Sequence, residues 1–137
     1  MGATVLVDSG PLVAVLSVRD KHHRWARSHF EALREPLLTC EAVLSESFFL
    51  LRNAPGAPDR LAKLLERGVV LIDFGVPDHL PRVLDLMRSY RDLPMSLADA
   101  CLVCMAEGVS EAKVFTTDSD FRTYRKNKRQ VIPLIAP

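Results

Sequence analysis

The sequence predicts an α/β protein, a three-layer α/β/α arrangement around a mostly parallel sheet of about five strands. Three observations predict it. Short apolar runs alternate with longer stretches of helical periodicity. Several of the runs end in or just before an aspartate, as in Thr4-Val-Leu-Val-Asp8 and Val69-Val-Leu-Ile-Asp73. The chain has 137 residues, 48% of them hydrophobic, which suits one substantial core. Strands that alternate with helices imply βαβ crossovers and a sheet covered on both faces. A single domain over residues 1–137 is therefore expected.

Thr4 to Asp8 reads as the first strand, and its unbroken apolar run marks it as buried. Ser9-Gly10-Pro11 turns the chain into a helix over 11–18, since proline is tolerated in a first helical turn. A second helix is expected over 22–34. Leu37 to Thr39 is a weaker strand candidate, followed by a helix over 41–53. Asn53-Ala-Pro-Gly-Ala-Pro58 is the one Pro/Gly-rich stretch and reads as a loop before a helix over 58–67. Val69 to Asp73 is the next strand, then come helices over 78–91 and 96–107. Ser96-Leu-Ala-Asp99 fits a capping box with Asp in place of Glu, and Ala100 to Ala106 is apolar all round, the mark of a buried helix. Lys113 to Thr117 is a strand, 119–127 a short helix, and Val131 to Ile135 the closing strand.

Composition narrows the function classes. The longest apolar run, Leu12 to Leu16, is far short of a membrane span, and no basic segment precedes the first strand as in a signal peptide. Three cysteines, with no export signal, suggest reduced thiols and a cytoplasmic location. Cys101 and Cys104 lack a second ligand pair and read as helix packing. The net charge is only +1, yet Arg122, Arg125, Lys126, Lys128 and Arg129 crowd into eight residues around Tyr124. That run follows an acidic strand end, so Arg122, Arg125 and Lys126 are candidates for phosphate contacts, against the reading of a solvated charge run. Trp25 and Phe30 read as packing residues.

Four acids form the candidate site. Asp8 and Asp118 follow strands, so both fall at the carboxyl edge of the sheet, where open α/β sheets bind ligands. Each also reads as a cap or turn residue, and Asp120 is the better structural candidate of the last pair. Asp99 opens the apolar helix as a carboxylate at the mouth of the core. Glu46 lies inside the helix 41–53, where no cap explains it; helical spacing sets it beside Ala42, Val43, Phe49 and Leu50, on the side expected to be buried. Two unit charges about 5 Å apart repel by roughly 3 kcal/mol at an effective dielectric near 20. Such a group protonates in part or holds a cation, and an all-oxygen set suits Mg²⁺ or Mn²⁺. A cation there can activate water and stabilise a leaving oxygen, the chemistry of phosphodiester hydrolysis.

These residues carry a resemblance to a known family. Val5-Leu-Val-Asp-Ser9, Val43-Leu-Ser-Glu-Ser47, Leu93-Pro-Met-Ser-Leu-Ala-Asp-Ala-Cys-Leu102 and Phe115-Thr-Thr-Asp-Ser-Asp-Phe121 together resemble the PIN-domain nucleases, and among them the VapC-type toxins of type II toxin–antitoxin systems. The resemblance covers essentially the whole chain. It implies cleavage of single-stranded RNA dependent on Mg²⁺ or Mn²⁺, with Asp8, Glu46, Asp99 and Asp118 as catalytic acids and metal ligands. Asp8 and Asp99 would be the main ligands, and Ser9, Thr116 and Asp120 would support them. It also implies a homodimer and a cognate antitoxin.

Two other readings stay open: an RNA-processing nuclease of the same fold without an antitoxin, and a catalytically silent acidic binding module. A phosphoacceptor domain is disfavoured, because Asp8 stands alone after the first strand and the segment Val131 to Pro137 has no lysine.

Overall fold

The computed structural model describes residues 3–137; the first two residues of the expected 1–137 domain lie outside the described residues. Seven strands and six helices follow in the order β1 (Thr4–Val7), α1 (Ser9–Leu16), α2 (His23–Ala32), β2 (Leu37–Thr39), α3 (Glu41–Leu51), α4 (Ala57–Glu66), β3 (Val70–Ile72), α5 (Val76–Ser89), α6 (Leu97–Glu107), β4 (Ala112–Phe115), a 3₁₀ turn at Ser119–Arg122, β5 (Arg125–Lys126), β6 (Gln130–Val131) and β7 (Leu134–Ile135). Five strands form one sheet in the order β3-β2-β1-β4-β7, and every pairing in it is parallel. The expected fold class, a mostly parallel five-stranded sheet flanked by helices, is the one observed.

The strand order positions the site. From β1 the chain builds outward through β2 and β3, then returns through α5 and α6 to lay β4 on the other side of β1. The direction of winding therefore reverses between β1 and β4, and the crevice at such a switch point is where open α/β sheets take ligands. β1 registers Val7 against Phe115 of β4, so Asp8 and Thr116 emerge side by side at the carboxyl edge. The ladder continues one step further, with the Asp8 N–H donating to Phe115 O at 2.9 Å.

The core is continuous from the sheet into α6. Val5, Leu6, Val7, Val114 and Phe115 are buried, and so is every residue of α6 from Ala98 to Ala106. The apolar stretch 100–106 thus makes the buried helix its composition predicted, with the free thiols of Cys101 and Cys104 inside it. Trp25 and Phe30 pack on Phe115, with ring centroids 5.3 and 6.2 Å away.

The C-terminal segment departs from expectation. The helix expected over 119–127 is a single 3₁₀ turn followed by a two-stranded antiparallel hairpin, β5-β6. Asn127 and Lys128, at φ 51° and 70°, make the left-handed turn that closes it, a geometry no helix can contain. The strand expected over 131–135 is split in two. Pro133 lacks the N–H that a continuous ladder would need, so Val131 pairs within the hairpin and Leu134–Ile135 pair with β4.

Candidate functional site

Asp8 is the centre of the arrangement. It caps α1, and its Oδ1 accepts the Ser9 N–H at 2.8 Å. Its Oδ2 accepts the Thr116 hydroxyl at 2.7 Å from the neighbouring strand end. With 6% of its surface exposed, the carboxyl is buried, and burial is the main reason its pKa rises from 3.8 to about 7. The hydrogen bonds from Thr116 and Ser9 oppose that rise; the charges of Asp99 and Glu46 add to it.

A line of hydrogen bonds spreads from Asp8 in both directions. The Ser9 hydroxyl donates to Glu46 Oε1 at 2.7 Å. On the other side, Thr116 Oγ1 accepts the Asp118 N–H at 3.0 Å, and Asp118 Oδ1 accepts the Asp120 N–H at 2.9 Å. Glu46, Ser9, Asp8, Thr116, Asp118 and Asp120 are thereby linked across β1, α3 and the segment after β4. The close approach of α1 to the segment after β4 rests on Gly10. A Cβ there would collide with the Thr117 side chain.

Asp99 enters from α6. Ser96 Oγ accepts the Asp99 N–H at 3.0 Å and Asp99 Oδ2 accepts the Ser96 N–H at 3.2 Å, so both halves of the predicted capping box form. The Tyr124 hydroxyl also donates to Oδ2, at 3.1 Å. Burial raises the Asp99 pKa, with the charge of Asp118 adding to it, against hydrogen bonds from Ser96 and Tyr124 that lower it. Repulsion thus runs from Glu46 and Asp99 onto Asp8, and from Asp118 onto Asp99.

Two details correct the sequence reading. Glu46 is exposed rather than buried, because α3 turns Val43, Leu44, Ser47 and Leu51 inward while Phe49 and Leu50 face solvent. Helical spacing groups residues correctly but cannot say which apolar group faces the core; Glu46 reaches the site from the rim. The structural turn after β4 is formed by the Asp118 side chain, the reverse of the assignment to Asp120. Ser9 and Thr116, expected as supports, are buried at 5% and 0% exposure, and each bonds an acid of the quartet.

The basic residues are placed unequally. Arg122 is exposed at the end of the 3₁₀ turn. Arg125 Nη1 is spent on the carbonyls of Arg122, Thr123 and Tyr124. Lys126 is buried in β5. Sequence reasoning missed Tyr124 as a site residue, although Phe121, just before the basic run, and Tyr124 within it stand three apart, the spacing of an inward-facing pair within one turn.

Among the described residues, no three His, Cys, Asp or Glu side chains form a cluster tight enough by itself to hold a metal ion. The donor chemistry nonetheless suits a hard cation: every acid offers oxygen, and Asp8 is a buried carboxyl under pressure from two neighbouring charges. No helix among the described residues is long and apolar enough to cross a membrane.

A sequence model of the PIN domain matches residues 5–127. No curated protein matches the sequence. Among solved structures, the fold is similar to that of Mycobacterium tuberculosis VapC20, described as a sarcin–ricin loop cleaving toxin. The TM-score is 0.75 with 20% identity, covering 88% of this chain and 94% of that one. At that identity the likeness concerns the fold.

Proposed function

Because this chain belongs to the PIN-domain family, we propose that it is a Mg²⁺- or Mn²⁺-dependent endoribonuclease acting on single-stranded RNA, and the toxin of a toxin–antitoxin pair. The observation that carries the reading is the linked line Glu46–Ser9–Asp8–Thr116–Asp118 at the switch point, beside a second buried acid, Asp99. Such a line is a costly way to build a stable edge and an economical way to orient several carboxylates at once.

Asp8 and Asp99 are the proposed main ligands, and Glu46 and Asp118 complete the site, directly or through water. When held by these residues, a divalent cation would supply Lewis acidity for the scissile phosphate and a lowered pKa for water. Ser9 and Thr116 hold the acids in place through the bonds described. Glu46 takes the proton of the attacking water at Oε2, since its bond from Ser9 falls on Oε1. As the water oxygen bonds to phosphorus, the ester P–O bond breaks and the leaving oxygen takes up a proton from solvent. Arg122, exposed at the end of the 3₁₀ turn that Asp118 caps, is the proposed phosphate contact. The cognate antitoxin, the homodimer and the cytoplasmic location are part of the same reading.

The test is cleavage of single-stranded RNA, including an oligonucleotide of the sarcin–ricin loop, with Mg²⁺ or Mn²⁺ and with chelator. Cleavage is expected only with the ion, and it should be lost in Asp99→Asn. A well-folded sample that cuts none of the RNAs under either ion refutes the enzyme reading in favour of a silent binding module.

A further inference from the structure

We infer that Tyr124 is a positioning residue for Asp99: its hydroxyl fixes the carboxyl through Oδ2 and leaves Oδ1 as the oxygen presented to a divalent cation. The inference rests on the metal-site reading above. Both side-chain acceptor bonds of Asp99, from the Ser96 N–H and the Tyr124 hydroxyl, fall on Oδ2. One donor belongs to the helix that carries Asp99. The other arrives from a distant segment, so together they fix the rotation of the carboxyl as well as its position.

Tyr124 is itself held on all sides. Its ring is fully buried, at 0% exposure, and packs edge-on against Tyr90 and Phe121 with centroids 5.1 Å away in each case. The Tyr90 hydroxyl oxygen accepts the Arg125 N–H at 3.0 Å, which pins the backbone directly after Tyr124. A short route leads back to Asp118: Asp118 Oδ1 accepts the Asp120 N–H, and the Asp120 carbonyl accepts the Tyr124 N–H at 3.2 Å. The segment that leaves the site at Asp118 thus returns to it at Asp99. A fully buried hydroxyl must bond to something, and here its partner is an acid of the quartet.

The test is Tyr124→Phe, which deletes one oxygen and keeps the packed ring. Mn²⁺ affinity is measured by calorimetry on the full chain without RNA, so the result does not depend on turnover. Loss of a partner behind a metal ligand costs roughly 10-fold or more in affinity. The expected result is therefore an approximately tenfold weaker Mn²⁺ affinity and a lower kcat, with KM for RNA unchanged. In an Asp99→Asn background, Tyr124→Phe should weaken Mn²⁺ binding no further. A merely structural role would lower the melting temperature and leave Mn²⁺ affinity unchanged, and that result overturns the inference.

A second measurement needs no Tyr124 variant. The chain has two tyrosines, so ring ¹³Cζ NMR gives two signals that Tyr90→Phe assigns. Titration of wild-type protein with Mg²⁺ should shift the Tyr124 signal; a static signal under saturating Mg²⁺ overturns the inference. A wild type that binds neither ion overturns the metal reading and this inference together. Binding without RNA cleavage, with the tenfold loss in the variant, supports the inference and counts only against the nuclease reading.

Discussion

Replacing Asp8 with asparagine should stabilise the protein in chelator above neutral pH while removing its response to Mg²⁺. The folded protein raises the Asp8 pKa from 3.8 to about 7, so the native state binds the proton more tightly than the unfolded chain does. The neutral acid's contribution is fully present below about pH 4 and is lost as pH rises through about 7. At about 1.4 kcal/mol per pH unit, that interval corresponds to ~4 kcal/mol at pH 8. Asparagine keeps the shape and an acceptor for the Ser9 N–H, but gives up the acceptor for the Thr116 hydroxyl. One buried bond lost costs about 1–2 kcal/mol. The net gain is about 2–3 kcal/mol above pH 8, or roughly 10 °C in Tm for a domain of this size. The assay is thermal unfolding by circular dichroism in chelator from pH 4 to pH 8.5, for wild type and Asp8→Asn. Wild type should lose clearly more stability with rising pH than the variant, so the two curves cross. Adding Mg²⁺ at pH 8 should raise the wild-type Tm and leave the variant unmoved. A variant less stable than wild type at pH 8 in chelator, or one with the same pH slope, would refute the reasoning.

Gly10→Ala should cost about 1–3 kcal/mol and depress cleavage further than stability alone explains. The new methyl drives Thr117 away from α1 and strains the Thr116 bond to Asp8; urea unfolding beside RNA turnover checks both, and a fully active variant would show that the gap closes harmlessly. Glu107→Gln should cost about 1–3 kcal/mol. Glu107 accepts two bonds from Arg82, at 2.8 and 2.7 Å, and the Asn127 N–H at 2.6 Å, tying α5, α6 and the hairpin together. Burial would raise the Glu107 pKa, but the Arg82 and Asn127 bonds and the Arg82 charge outweigh it and hold it below the usual carboxylate range. Its contribution is present above about pH 4.5 and lost as pH falls. Acid titration followed by circular dichroism should therefore show a shallower loss in the variant, and an unchanged acid limb would contradict the assignment.

The division of labour at the site is visible residue by residue. Asp99 was readable because its capping box and the apolar stretch after it are local patterns, and both survive in the fold. Asp8 and Asp118 were readable because each follows a strand, and parallel strands share an edge. Glu46 was chosen for a burial it does not have; it reaches the site through Ser9 from an exposed face of α3. Lys126 and Tyr124 looked like parts of an exposed basic run, and both are buried, because the hairpin turns the segment back onto α6.

By itself, the sequence determined the α/β alternation, the buried α6, the two strand-end acids and the capped Asp99, all set by patterns within about ten residues. Only the tertiary structure decided that β4 lies against β1, that Thr116 and Ser9 bridge the acids, and that Tyr124 reaches Asp99. Those contacts join residues 108, 37 and 25 positions apart. Local periodicity carries no information across such separations. They follow from the order in which the strands pair and from the requirement that each buried polar group find a partner.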